Sequence, residues 1–232
     1  MKQTTVSFHK LRHDNYKTLR ENTFHLFKVY ELINKLKGIR KGIDIGCSDG
    51  SFALKLKKDF NIDMYGMDIA EGAIKSCNQK GIKGILHNLE NQMPFKENTF
   101  DLVVLTEVIE HIFDTDFLLT EINSILNKNG YLVITTHNIN SLTNRIKILL
   151  GKYPTHCEYK AKGCGHIRVY NFNVLIKQLE ENGFIIEKVT SPNFPFPIKI
   201  LKVNNTIKKL LIRMGDLFPR LSNQIVIVAR RK

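Results

Sequence analysis

The chain has 232 residues, 43% of them hydrophobic, which is enough for one sizeable α/β domain with a packed core. Thirty-five basic residues against 22 acidic ones give a net charge of +13, which bears on partners and not on fold. No apolar run approaches the ~20 residues of a membrane-spanning helix. No charged start followed by a long apolar run suggests a signal peptide. Cys47, Cys77, Cys157 and Cys164 form no CxxC pair, so thiols in a reducing cytoplasm are the expectation.

Residues 1–38 read as a polar helical segment. Leu19, Thr23, Leu26, Phe27 and Tyr30 fall near helical spacing, and Gly38 is a stop. A first strand then runs to Ile45 and meets the stretch G-I-D-I-G-C-S-D-G-S, residues 42–51. Its spacing, Asp-x-Gly-x-Ser-x-Gly, is neither the G-x-G-x-x-G of dinucleotide folds nor a P-loop. A helix is expected from Ser51 to about Lys58, a second strand over 64–68, and a helix over 70–80 stopped by Gly81. A third strand is expected over 83–87 and a fourth, strongly apolar, over 100–105. A helix over 117–126 and an Asn-Lys-Asn-Gly turn at 127–130 lead to a fifth strand over 131–136. Strands alternating with helices argue for a parallel sheet covered on both faces, with the ligand crevice at the strands' carboxyl ends.

After the fifth strand the alternation breaks. Residues 137–170 read as a basic lid or substrate-binding insertion, with six basic residues and one acidic. A helix over 173–181, ended by Gly183, precedes a sixth strand over 184–189. The S-P-N-F-P-F-P loop follows, and Gln224 to Ala229 reads as the last strand. Residues 198–222 form a basic amphipathic segment. Over Ile198 to Met214, Ile200, Val203, Ile207, Leu210, Leu211 and Met214 share a side, and the lysines fall mostly elsewhere. Such a helix can rest on an anionic membrane, or it can pack on the sheet with solvated lysines.

Three blocks carry a resemblance. They are the Asp44–Gly50 turn, Asp68 at the end of M-Y-G-M-D, and the run from His87 to Ile112 containing M-P-F…F-D-L-V…T-E-V-I-E-H. Together they resemble the class I S-adenosylmethionine-dependent methyltransferases, in the broad subgroup with an E-V-x-E-H run. The resemblance implies a doubly wound, Rossmann-like α/β fold in one domain, residues 39–232. Its seven strands would take the order 3-2-1-4-5-7-6, with the last antiparallel. It also implies S-adenosylmethionine as cofactor. Asp44, Gly46, Cys47, Ser48 and Gly50 would form the loop under its methionine part, with Ser48 where the family usually has Gly. Asp68 would hold the ribose, though an N-cap role is the plainer alternative. Ile69, Asn88 and Leu89 would lie by the adenine. Leu105 and Thr106 would line the methionine end, and Tyr16 and Arg20 of an N-terminal helix would reach its carboxylate.

A hydroxyl nucleophile needs a base, and histidine suits neutral pH. His111 in E-V-I-E-H, His137 after the fifth strand and His166 in G-H-I-R are the three candidates. Glu107 and Glu110 read as structural or hydrogen-bonding partners. The pairs His156-Cys157 and Cys164-x-His166 suggest zinc, but a Cys-x6-Cys spacing is not that of a finger, so no metal is expected. The chain has T-E-V-I after the fourth strand, not the Asn/Asp-Pro-Pro-aromatic of enzymes that methylate exocyclic base amines. That argues against nucleic acid, although the basic segments keep RNA or protein methylation as an alternative. A catalytically silent cofactor-binding or membrane-interaction module is the other alternative. The expected activity is O-methylation of a small-molecule or lipid-linked acceptor, a glycan or a prenylated ring. The expected setting is cytoplasmic, with peripheral contact to anionic membrane.

Overall fold

The computed structural model describes residues 24–157, 165–192 and 215–232. Tyr16, Arg20, Cys164 and the amphipathic stretch 198–214 lie outside them. The chain opens with α1 (Phe24–Ile33) and β1 (Lys41–Ile45). Then come α2 (Ser51–Phe60), β2 (Asp63–Asp68), α3 (Glu71–Gln79), β3 (Lys83–Leu86) and β4 (Phe100–Thr106). After a 3-10 turn (Ile109–His111) follow α4 (Thr115–Ile125), β5 (Leu126–His137), α5 (Leu142–Leu149), α6 (Phe172–Glu181), β6 (Phe184–Thr190) and β7 (Gln224–Arg231).

One seven-stranded sheet has the order β3-β2-β1-β4-β5-β7-β6. β1 to β5 are parallel, and β7 runs antiparallel to both β5 and β6. Side chains alternate faces along a strand, and β4 shows what that requires. Val103 and Leu105 join the core under α4 and α6, while Leu102 and Val104 join the core under α1, α2 and α3. A strand covered on both faces needs apolar residues at every position, which is why β4 reads as a continuous apolar run.

Caps place the helices on the chain. Asp114 accepts from the Phe117 N–H at 2.9 Å, Ser141 from Asn144 at 3.3 Å and Asn171 from Val174 at 3.0 Å. The Asp114 cap starts α4 at Thr115, two residues before the apolar pattern begins. One expectation is corrected, and one segment gains a helix that the sequence reading leaves unassigned. The Asn127–Gly130 turn is absorbed into a twelve-residue β5, with a register shift against β4 between Phe100 and Leu102 and Asn129 at φ 64°. The ladder skips residues 127–130 there, passing from the pair Phe100 and Leu126 to the pair Leu102 and Tyr131, so the turn residues form an irregularity inside one strand. The insertion opens as a helix, α5, because Ser141 supplies a cap that the charge pattern did not reveal.

The N-terminal helix packs beneath the same sheet. Lys28 on α1 is buried and meets Asp216 at 2.8 Å.

Candidate active site at the strand ends

β1, β2, β4 and β5 end side by side, at Ile45, Asp68, Thr106 and His137. Sequence order reverses between β1 and β4, so this edge is the topological switch point. The turn after β1 is tight and left-handed, with Gly46 at φ 75°, Ser48 at 51° and Gly50 at 73°. A Cβ on Gly46 would sit 2.4 Å from Val108 Cγ2, and one on Gly50 would sit 2.8 Å from Cys77 Sγ. The backbone therefore lies too close to its neighbours for side chains at these two positions. Ser48 holds the glycine-like angle, and its N–H donates to Asp68 Oδ2 at 3.0 Å.

Asp68 also accepts from the Ala70 N–H at 2.9 Å. It thus ties the turn to the start of α3, close to the capping alternative. A carboxylate offers about four lone-pair sites, so two remain for ribose hydroxyls. Asn88 Oδ1 accepts from the Glu90 N–H at 3.1 Å, and the His87 N–H donates to the Asp68 carbonyl at 2.9 Å. These bonds carry Asn88 and Leu89 to the edge beside Asp68. Ile69 and Thr106 are half-buried there, whereas Leu105 and Cys47 point into the two cores. Any ligand contact of Leu105 and Cys47 is therefore through backbone.

Asp44 is the unusual member. It is 2% exposed, and its Oδ1 is a buried oxygen with no hydrogen-bond partner among the described residues. Burial, followed by the charges of Cys77, Asp68 and Asp49, pushes its carboxyl well above the ordinary range. A buried acceptor with no donor beside a left-handed glycine turn is what an ammonium-bearing ligand would complete. One residue that supports this turn escapes sequence reasoning. Lys80 reaches back to Asp49 (2.5 Å) and Ser51 Oγ (2.8 Å), fixing the far side of the loop.

Across the edge from the turn, the structure gathers histidines. All three predicted ones converge, and His156 joins them. His137 and His156 stack with ring centroids 3.6 Å apart; His111 and His166 lie 4.8 Å apart, and His137 and His166 5.2 Å. Glu107 Oε2 lies 2.9 Å and Glu110 Oε1 3.4 Å from His137 Nδ1. Burial lowers the His137 pKa, but hydrogen bonds and charge from Glu107 and Glu110 outweigh it and raise the pKa to about 10. His137 is therefore a cation at neutral pH, not a proton acceptor. Burial raises the Glu110 carboxyl, and the Glu107 charge adds to that. Thr135 and Thr136 donate to Glu107 and Glu110, each at 2.9 Å.

The insertion is pinned onto this cluster. The Ile167 and Arg168 N–H groups donate to the Glu110 carbonyl at 2.9 and 3.2 Å, and His111 Nδ1 donates to the Gly165 carbonyl at 3.0 Å. Since a carbonyl only accepts, the neutral His111 ring carries its lone pair on Nε2. A larger hollow of about 600 Å3, lined by Glu71, Ile74, Lys75 and Leu86, lies open on α3 and β3 and shares no residue with this edge.

Residues 12–189 match the family described as a methyltransferase domain. The chain belongs to that family. It is an S-adenosylmethionine-dependent methyltransferase. An uncharacterised protein of Methanocaldococcus jannaschii is 40% identical over 170 residues, 71% of this chain; the methyltransferase spans 63% of that relative's length. A ubiquinone biosynthesis O-methyltransferase of Pelagibacter ubique is 25% identical over 81% of this chain and 78% of its own. A Thermotoga maritima structure described as a possible histamine N-methyltransferase superposes with a TM-score of 0.64 at 20% identity, covering 99% of this chain and 92% of its own. That likeness concerns the fold. The residues at the turn fit the cofactor on their own terms, through the unpartnered oxygen of Asp44 and the Gly46 cradle.

Proposed function

We propose that the methyltransferase O-methylates a small amphiphilic acceptor, a prenylated ring or a lipid-linked molecule, taken from an anionic membrane surface. The observation that carries this reading is α5, which follows directly on the histidine cluster. Leu149 is 85% exposed, and Ile146, Ile148, Leu150 and Tyr153 are also exposed, with Arg145, Lys147 and Lys152 among them. A basic, apolar surface beside an active mouth suits an acceptor with a hydrocarbon tail. The name of the ubiquinone biosynthesis relative supports the same acceptor class. The insertion 137–170 would then act as the acceptor lid.

S-adenosylmethionine supplies the electrophilic methyl group. Asp44 would receive its ammonium, the Gly46–Gly50 backbone would lie along its methionine part, and Asp68 would take the ribose hydroxyls beside Ile69, Asn88 and Leu89. His111 is the base we assign, because its lone pair sits on Nε2 while Nδ1 is held by Gly165. It would take the acceptor proton, and Glu107 and Glu110 would fix the orientation of the His137 ring beside it.

The test compares methyl transfer to a prenylated catechol, to the same ring without its tail, and to RNA. Preference for the prenylated acceptor is expected. His111→Gln should lower kcat by about 10²–10⁴-fold while S-adenosylhomocysteine still binds. Transfer to RNA alone, or equal turnover of both rings, overturns the acceptor reading.

A further inference from the structure

His137, His156 and His166 each offer a ring nitrogen, and these three atoms lie within 4.8 Å of one another. They surround a cavity of about 10 Å3, also lined by Glu110 and Thr136. That is room for one ion or one water. We propose that these three histidines form a binding site for a single divalent transition-metal ion of the zinc type.

The ring orientations favour this. A histidine that ligates a metal through one nitrogen usually donates its other N–H to a carboxylate or a backbone carbonyl. His137 does so through Nδ1 to Glu107, at 2.9 Å. His166 Nδ1 faces the His156 carbonyl at 3.4 Å. Both contacts leave Nε2 as the ligating atom, and loading the ion would release to solvent the Nε2 proton that His137 carries in the metal-free chain. Tetrahedral zinc with Zn–N bonds of ~2.0–2.1 Å needs nitrogens about 3.3 Å apart, so the set closes by about 1.5 Å or less on loading. Three imidazoles leave a fourth position open, the arrangement of a reactive zinc site and not of a closed structural one.

Charge points the same way, since Glu107 and Glu110 both flank the set. Nitrogen ligands select zinc or its transition-metal neighbours over magnesium, which prefers oxygen. The ion would not be a zinc finger. Cys157 is absent from every described set of potential ligands, whereas His156 belongs to one. Any role of the ion in polarising the acceptor hydroxyl rests on the O-methylation reading; the binding itself does not.

The experiment is calorimetric titration of the EDTA-stripped full chain with Zn2+ and with Mg2+, and cobalt substitution followed in the visible spectrum. One zinc per chain is expected, with Mg2+ at least a hundredfold weaker and a d–d band appearing with Co2+. His137→Gln, His156→Gln and His166→Gln should each weaken zinc binding tenfold or more. His87→Gln and Cys157→Ser should leave it unchanged. S-adenosylhomocysteine binding by each variant reports that the fold is intact. No saturable zinc binding by the wild-type chain overturns the site, as does binding abolished by Cys157→Ser and kept in His137→Gln. Loss of zinc with methyl transfer unchanged would leave the site standing and remove only its catalytic role.

Discussion

Asp44 shows how one residue carries both a cost and a purpose. Its Oδ1 is buried at the end of β1 with no donor to meet it among the described residues. A carboxyl whose pKa is raised on folding keeps a proton that the unfolded chain has already released. It therefore costs stability above the ordinary carboxylate pKa, and the cost grows with pH up to the raised value. Asp44→Asn removes the ionisable group and keeps the shape. The free protein should melt at the same temperature or higher at pH 7. Its affinity for S-adenosylhomocysteine should fall about 10–150-fold, the value of one hydrogen bond to a charged group at ~1.5–3 kcal/mol. Paired thermal melts and calorimetry distinguish these effects, and undiminished affinity would remove Asp44 from the cofactor site. Ser48 makes a related point. A left-handed angle costs an L-residue roughly 1–2 kcal/mol, which its hydrogen bond to Asp68 offsets in part.

At the scale of elements, an ion pair joins the N-terminal helix to the C-terminal part of the chain. Lys28 on α1 is buried, and Asp216 is its partner at 2.8 Å. Burial would raise the Asp216 carboxyl, but hydrogen bonds from Lys28 and Thr190 and the Lys28 charge lower it. A depressed carboxyl contributes stability that is present above its unfolded pKa and lost as pH falls through the folded one. Asp216 is partly exposed, so solvent screens the pair. Asp216→Asn should lower the melting temperature at pH 7, because an ammonium stays buried without its counter-charge. The difference from wild type should shrink as the pH drops below about 4. Melting curves at pH 7 and pH 3 measure both, and a pH-independent difference would mean that packing, not charge, holds α1.

The whole molecule carries +13, concentrated in the insertion and in residues 198–232. If α5 meets an anionic surface, long-range attraction and apolar insertion act together and separate under salt. The Debye length shrinks from about 10 Å at 0.1 M to about 3 Å at 1 M. Recovery with anionic vesicles should therefore fall over that range, and neutral vesicles should recover less at low salt. A Leu149→Glu, Leu150→Glu variant should lose binding at both salt concentrations. Equal recovery with anionic and neutral vesicles in co-sedimentation would exclude the anionic-membrane reading.

Local rules determined much of this protein from sequence alone. The Asp44–Gly50 spacing, Asp68 ending an apolar strand and the doubly apolar β4 depend on neighbours a few residues apart, and the seven-stranded order follows from the family they resemble. Asn and Gly at 127–130 signal a turn and a bulge alike, and only the pairing of Leu126 with Phe100 makes the stretch part of β5. Only the tertiary structure decided the chemistry on the far side of the edge. His156 stands 19 positions after His137 and shows no ligand spacing with it, yet their rings stack. The one sequence signal was its place beside Cys157, which groups it with Cys164 and His166 and leaves out His137. Glu107, Glu110, His137 and His166 come from three chain segments. The parallel register of β4 with β5, and two hydrogen bonds from the insertion to the Glu110 carbonyl, bring them together. Such convergence depends on strand register and on where a loop returns, and spacing along the chain does not encode either.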